Sequence, residues 1–257
     1  MRLTLLVGLA MLGLSFTLNV VAASVVTVTP IADSMTRSLL STTPVKVTYL
    51  PPTRLPINRI PSWLNKNRTE PLDPFDAIVN ISALRPDLAF YTSVRSTNIR
   101  AVPIDIAEAL LPGGERVAVQ EPSEYFWLNP NNALMMLGIL KRDLSLLWPE
   151  YEKDITIRYQ VVSQSLRQIA LTIDDTLLMS GYEGLQNAND STEPFTKGLL
   201  LPTYTLEEIT GTMPLNTLIV STKNNKNQWL IDDFSRHKKT EFIDRWQQNL
   251  NNLISLQ

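Results

Sequence analysis

EYEKDITIRYQVVSQSLRQIALTIDDTL, residues 150–177, is the stretch that decides the fold. Its apolar residues fall at Tyr151, Ile155, Tyr159, Val162, Leu166, Ile169, Ile173 and Leu177, in steps of 4, 4, 3, 4, 3, 4 and 4. Those steps return to one face of a helix with 3.6 residues per turn. The spacing predicts one amphipathic helix of about 25 residues, roughly 40 Å long at 1.5 Å per residue. That is longer than one small lobe requires. Just upstream, Asn129-Pro130 has the chemistry of a helix start, with Asn as cap and Pro at the first helical position. The helix it opens runs to about residue 147 and carries ALMMLGIL, apolar nearly all round, so burial is expected. Trp148-Pro149 separates the two helices.

Shorter signals lie on either side. Before the helices, residues 25–29 (VVTVT) and 45–50 (VKVTYL) are β-branched and read as strands, with a helix at 31–41 between them. Further strands are expected at 76–80, 88–91, 100–104 and 116–119. Residues 105–111 read as a helix stopped by Pro112-Gly113-Gly114. Seven prolines between 44 and 74 predict a long loop, because each ring fixes φ and removes a backbone donor. After the long helix, strands are expected at 177–180, 198–201 and 218–221, a short helix at 206–209, and a polar surface loop over 184–196. A closing helix over 239–256 places Phe242, Trp246, Leu250 and Leu253 on one face. Strands alternating with helices predict an α/β fold: two α/β lobes, each with a small, mostly parallel sheet, joined by the long helix. The corresponding division is 24–148, 149–177 and 178–257.

Composition narrows the function. The chain has 257 residues, 44% of them hydrophobic, which is globular rather than disordered. It has no cysteine, so disulfides, thiolate metal sites and Cys nucleophiles are excluded. Its single histidine, His237, excludes a His-rich cluster. A net charge of −2 argues against a nucleic-acid partner. With 9 glycines and 17 prolines it shows no Gly-rich phosphate loop. Residues 1–23 read as a secretory signal peptide: Arg2, then the apolar run LTLLVGLAMLGLSF, then Val21-Ala22-Ala23 with small residues at −3 and −1. The apolar run is shorter than the ~20 residues that span a bilayer, so cleavage after Ala23 is expected rather than membrane insertion.

Several residues then carry a resemblance. Residues 124–133, EYFWLNPNNA, resemble the segment D-P-H-x-W-L-D-P-x-N-A of the zinc- and manganese-binding receptors of ABC importers. Leu144, Trp148-Pro149-Glu150, Tyr151, Tyr159 and Leu166 are similar to that family's run along its backbone helix. Residues 25–33 (VVTVTPIAD) and 45–52 (VKVTYLPP) look like its first strand and helix and the strand leading to its first ligand loop. The resemblance covers about residues 25–185 and fades beyond. It implies an exported, periplasmic or secreted, solute-binding protein of an ABC-type zinc or manganese uptake system. Such a protein is monomeric and not an enzyme, meets an ABC transporter permease, and carries a metal ion or small solute.

The ligands depart from that pattern. By the resemblance three histidines and one carboxylate hold the metal. Ile57 stands at the first histidine position, Tyr125 at the second, and Tyr182 opens the nearest match to the third, Tyr182-Glu183-Gly184-Leu185; no fourth position is legible. An Ile side chain cannot ligate, and a phenol with pKa near ~10 is a poor donor at neutral pH. The metal site is therefore expected to be degenerate. Glu124 and Glu183, beside two replaced positions, are the carboxylates from which an oxygen-only site for a hard cation could be built, and the bland reading makes them surface residues. Tyr125 and Tyr182 are expected to line one pocket with Ile57. The alternative is an accessory or interaction protein on the same scaffold that binds no metal, or one that binds an organic solute. His237, in Arg236-His237-Lys238-Lys239, reads as a solvated surface residue, as do the pairs Asp174-Asp175, Glu207-Glu208 and Asp232-Asp233. With no His near a Ser nucleophile motif, a Ser triad is excluded.

Overall fold

A computed structural model describes residues 23–110, 114, 116–119, 123–205 and 216–256. The leader through residue 22, the turn at Pro112-Gly113 and the short helix expected at 206–209 lie outside the described residues. The first lobe holds β1 (Ser24–Thr27), α1 (Pro30–Leu40), β2 (Lys46–Tyr49), α2 (Ile60–Lys66), β3 (Ala77–Asn80), α3 (Tyr91–Thr97) and β4 (Val102–Asp105). Its four strands form one parallel sheet in the order β2-β1-β3-β4. A hairpin of β5 (Glu108–Leu110) and β6 (Arg116–Ala118) follows, antiparallel. Then come α4 (Pro130–Leu147) and α5 (Glu152–Met179). The second lobe contains β7 (Gly184–Asn187), α6 (Glu193–Lys197), β8 (Thr203–Tyr204), β9 (Thr217–Ser221), β10 (Trp229–Leu230) and α7 (Phe242–Ile254). Its strands are again all parallel, in the order β10-β9-β7-β8.

The long helix is the axis of the molecule. It has 28 residues, about 42 Å at 1.5 Å per residue. Ile155, Val162, Leu166, Ile169, Ile173 and Leu177 of the apolar series are buried, and Tyr151 and Tyr159 pack against the core. The helix lies against α1, α4 and α7, so elements from both ends of the chain share one core. Asn129 caps α4 as its sequence predicts, its side chain accepting from the Asn131 and Asn132 amides.

Five local expectations change. The proline-rich stretch 44–74 is not one loop: it contains a 3₁₀ turn at Ile57–Arg59 and α2, because Pro61 sits in the first turn, where the missing N–H costs nothing. Residues 88–91 are not a strand. They end a 3₁₀ turn and enter α3, with Leu88, Phe90 and Val94 buried. Residues 105–110 form no helix: a bend at Ile106-Ala107 leads into β5, which finds a partner in β6; a short apolar run does not carry the difference by itself. Residues 177–180 belong to the end of α5, and no strand forms at 198–201.

The largest correction is 184–196. Instead of a surface loop it provides β7, which pairs with both β8 and β9 inside its sheet, and then α6. Leu185 is its one fully buried large side chain, so backbone pairing rather than a side-chain pattern makes the strand. Gly184 is required there. A Cβ at that position would lie 2.4 Å from the Tyr204 ring.

Candidate functional site

In a parallel sheet the loops leaving the C-terminal strand ends carry the ligand sites. In the first lobe the loop after β2 leads to Ile57, and in the second the chain after β10 runs through residues 231–238. These two segments meet. The Ile57 N–H donates to the Ser235 carbonyl at 2.8 Å, and Arg236 Nη1 donates to the Arg54 carbonyl at 3.2 Å. A third piece comes from the 3₁₀ turn Phe126–Leu128, whose residues are all buried. Trp127 Nε1 donates to the Asp233 carbonyl at 3.0 Å, and the Trp127 ring packs edge-on against Tyr125 and Phe126.

The 231–238 segment is unusually fixed. Phe234 has φ of 56°, the left-handed region that favours glycine, yet its side chain is fully buried. The strained turn is held by the Phe234 amide donating to Asp232 Oδ1 at 2.9 Å and the Ser235 amide donating to Asp233 Oδ1 at 2.8 Å. Behind it, Arg245 binds Asp232 through Nη2 at 2.5 Å and Nε at 3.0 Å and stacks 3.8 Å from the Phe234 ring. Lys238 adds a third contact to Asp232 at 2.6 Å. Burial alone would raise the Asp232 pKa, but the Arg245 and Lys238 hydrogen bonds and charge hold it below the usual carboxylate range. The expectation that Asp232-Asp233 is a solvated pair therefore fails. Asp232 is a buried ion-pair partner and Asp233 sits at the lobe junction, because Arg245 arrives from α7, thirteen residues away.

His237 is likewise not a surface residue. Its side chain is 9% exposed, Nε2 lies 2.9 Å from Asp33 Oδ2, and its ring stacks on Tyr49 at 4.3 Å. Asp33, in α1, is 1% exposed and also accepts from Thr27 Oγ1 at 3.0 Å and Arg37 Nε at 2.8 Å. Burial first, and then the Asp33 charge, push the Tyr49 hydroxyl far above the usual phenol range, so it stays neutral. The bond joins two residues 204 positions apart and fastens the second lobe to the first. His237→Ala is expected to lower stability by about 1.5–3 kcal/mol, the range for hydrogen bonds to charged groups. The loss stays below that of a stranded charge because Arg37 and Thr27 still satisfy Asp33. Urea unfolding read by circular dichroism checks this; no change in midpoint would return His237 to the surface.

The residues singled out in the sequence do not form one pocket. Ile57 is 1% exposed and lies within the lobe contact rather than on an open wall. Tyr125 is half-buried at the junction, and its hydroxyl is pushed above the usual phenol range by burial first, then by the nearby Asp233 and Glu124 carboxylates. A neutral phenol of this kind is a weak metal donor. Glu124 is exposed and lies 3.9 Å from Arg85, which is itself paired with Asp87. Tyr182 and Glu183 precede β7 and so stand at the opposite end of that strand from the junction. The distance from Tyr182 to Asn187 along an extended chain is roughly 16 Å at ~3.3 Å per residue. Glu183 is occupied there: its amide donates to the Asn216 carbonyl, and its Oε2 accepts from the Asn216 amide, both at 2.9 Å. Among the described residues, no three His, Cys, Asp or Glu side chains converge where they could hold a metal ion.

No family model matches this chain, and no curated protein matches it in sequence. Solved structures do match. The Cd-bound periplasmic metal binding protein from Candidatus Liberibacter asiaticus superposes with a TM-score of 0.61 over 91% of this chain and 100% of its own, at 12% identity. The laminin-binding protein Lbp of Streptococcus pyogenes does so with a TM-score of 0.60 over 91% and 99%, at 10% identity. A mutant of FpvC from Pseudomonas aeruginosa gives 0.62 over 91% and 98%, at 11% identity. The chain therefore has the fold of the metal-binding periplasmic receptor class along nearly its whole described length. At the junction of its lobes lie the apolar Ile57 and the neutral Tyr125, with the Asp33 and Asp232 carboxylates already paired to His237 and Arg245.

Proposed function

We propose that this chain is an exported binding protein serving an ABC-type importer, and that it does not carry a bare zinc or manganese ion. The receptor fold over nearly the whole chain supports the scaffold role. The single observation that carries the ligand reading is that, among the described residues, no three His, Cys, Asp or Glu side chains converge; at the junction Tyr125 offers a neutral hydroxyl and the Asp33 and Asp232 carboxylates are already paired with His237, Arg37, Arg245 and Lys238. A zinc site needs about four N, S or carboxylate donors near 2.0–2.3 Å, and a bare cation there would lose hydration without a full set of uncommitted charged donors in return. Ile57 adds nothing polar. Export rests on the leader pattern of residues 1–23, and among the described residues no helix is long and apolar enough to cross a membrane. We read the protein as a binder rather than an enzyme, the permease as its partner and the space outside the inner membrane as its location.

One measurement tests this reading. Protein purified from its native host is weighed by native mass spectrometry, with elemental analysis of the same sample. The expected mass begins at or near Ser24, and the sample carries no stoichiometric zinc or manganese. A full-length, membrane-embedded product would refute export. Sub-micromolar zinc binding in calorimetry would refute the degenerate site.

A second reading is favoured by the direct contacts between the lobes. Ile57–Ser235, Trp127–Asp233, Arg236–Arg54 and His237–Asp33 all join the two halves by direct hydrogen bonds. A scaffold tied together this way suits an accessory protein that presents a fixed surface to a partner. It is distinguished by permease capture: an accessory protein binds the permease equally well with and without any co-purified solute, whereas a receptor binds better when loaded.

A further inference from the structure

We infer that the second lobe carries its own ligand crevice, outside the C-terminal ends of β7 and β9, that takes a small molecule bearing oxyanion groups. The inference rests on the receptor reading above and specifies its ligand. The strand order β10-β9-β7-β8 makes this the switch point of the sheet: from β7 the chain turns to β8 on one side, and from β9 it turns to β10 on the other. Crevices at such points are where open α/β sheets bind ligands. Here the crevice is about 530 Å³, within the ~300–1,000 Å³ range of small-molecule sites. None of its lining residues comes from the first lobe, so it is separate from Tyr125 and Ile57.

The lining chemistry sets the ligand class. Lys223 is the one charged residue among the described lining residues and makes no ion pair among the described residues; Asp232 and Asp233 line the adjoining cavity that it also borders. The remaining hydrogen-bonding capacity leans to donors. Gln228 Oε1 already accepts from Asn225 Nδ2 at 3.0 Å, which leaves its Nε2 hydrogens free. Ser221 Oγ accepts from the Lys223 amide at 3.1 Å, which leaves its hydroxyl hydrogen to donate. The Gln186 carboxamide has no hydrogen-bond partner among the described residues, while Asn187 is fixed between the Thr192 and Thr196 hydroxyls. An ammonium with several uncommitted N–H and O–H groups fits carboxylate or phosphate oxygens, because charge-assisted hydrogen bonds are about twice as strong as neutral ones. A neutral polyol would leave the Lys223 ammonium without an ion-pair partner inside the crevice.

The test uses the mature protein with four probes in calorimetry: citrate, succinate, inorganic phosphate and sorbitol. At least one of the three anions is expected to bind at one site, and sorbitol is not. Citrate above phosphate marks an organic acid as the ligand type, and the reverse order marks phosphate; either supports the oxyanion class. Lys223→Gln is expected to weaken the bound anion on the order of 10–100-fold, the loss of one charge-assisted hydrogen bond. Gln228→Ala should weaken it less, and Lys153→Gln, on the exposed side of α5, not at all. No binding of any anion, or unchanged binding in Lys223→Gln, overturns the proposal. Native mass spectrometry separates this failure from that of the receptor reading. If a solute co-purifies with wild-type protein and is retained by a Lys223→Gln, Gln228→Ala double variant, the receptor reading stands and the crevice assignment falls.

Discussion

Arg245→Met is expected to destabilise the fold by about 3–5 kcal/mol at neutral pH, as breaking one side of a buried ion pair does. Arg245 is 2% exposed and makes two hydrogen bonds to Asp232. Removing it leaves a carboxylate in low dielectric with Lys238, a half-exposed partner, as the remaining cation. The pH dependence has a definite sign. In the wild type the Asp232 pKa is depressed, so its contribution is present above the unfolded carboxylate pKa of about 3.9 and is lost as pH falls through the lower folded value. In the variant, burial without Arg245 raises the folded pKa instead. The penalty should therefore shrink as the pH is lowered toward 4 and the carboxyl takes up a proton. Urea midpoints for both proteins at pH 7 and pH 4.5 check this; an equal gap at the two values would mean that lost packing on Phe234, not the stranded charge, is the cause.

Trp127→Ala should cost a similar ~3–5 kcal/mol, the range for truncating a fully buried aromatic. Trp127 is fully buried, and its ring touches both Tyr125 and Phe126. Its indole N–H is the bond that ties the 126–128 turn to Asp233 in the other lobe. Trp127→Phe separates the two roles. It keeps most of the apolar volume but strands the Asp233 carbonyl, so a smaller loss of about 1–3 kcal/mol is expected. Hydrogen exchange should show that loss concentrated in the amides of Phe234 and Ser235. Uniform loosening of both lobes in Trp127→Phe would argue that Trp127 is ordinary core with no special part in the junction.

The elements that were legible in the sequence are those made by local rules. The face of α5 could be read because a helix bonds to itself every four residues, so its buried side repeats in the sequence. The cap at Asn129-Pro130 and the strands β1 to β3 are legible for the same reason: the signal lies within a few residues. Between them these elements determine an α/β chain with one long axial helix. Ile57 and Tyr125 also lie at the lobe junction, and they were found through the W-L-N-P and Pro-Pro segments beside them.

Other features needed the folded chain. β7 carries a polar sequence and exists because β8 and β9 bond to its backbone on both sides, a partnership no local pattern reports. Tyr182 and Glu183 come to stand at the start of β7 because of that strand, which the local pattern around them does not report. His237, Asp232 and Asp233 sit in a polar run that reads as solvated, because desolvation depends on what arrives from elsewhere: Asp33 from 204 residues away, Arg245 from α7, the Trp127 indole from 106 residues away. Hydrophobic periodicity is local, so the two lobes and the axial helix are readable from the chain alone. Hydrogen-bond partners and dielectric are set by the packing of distant segments, so which polar groups are buried at the junction emerges only in the folded molecule.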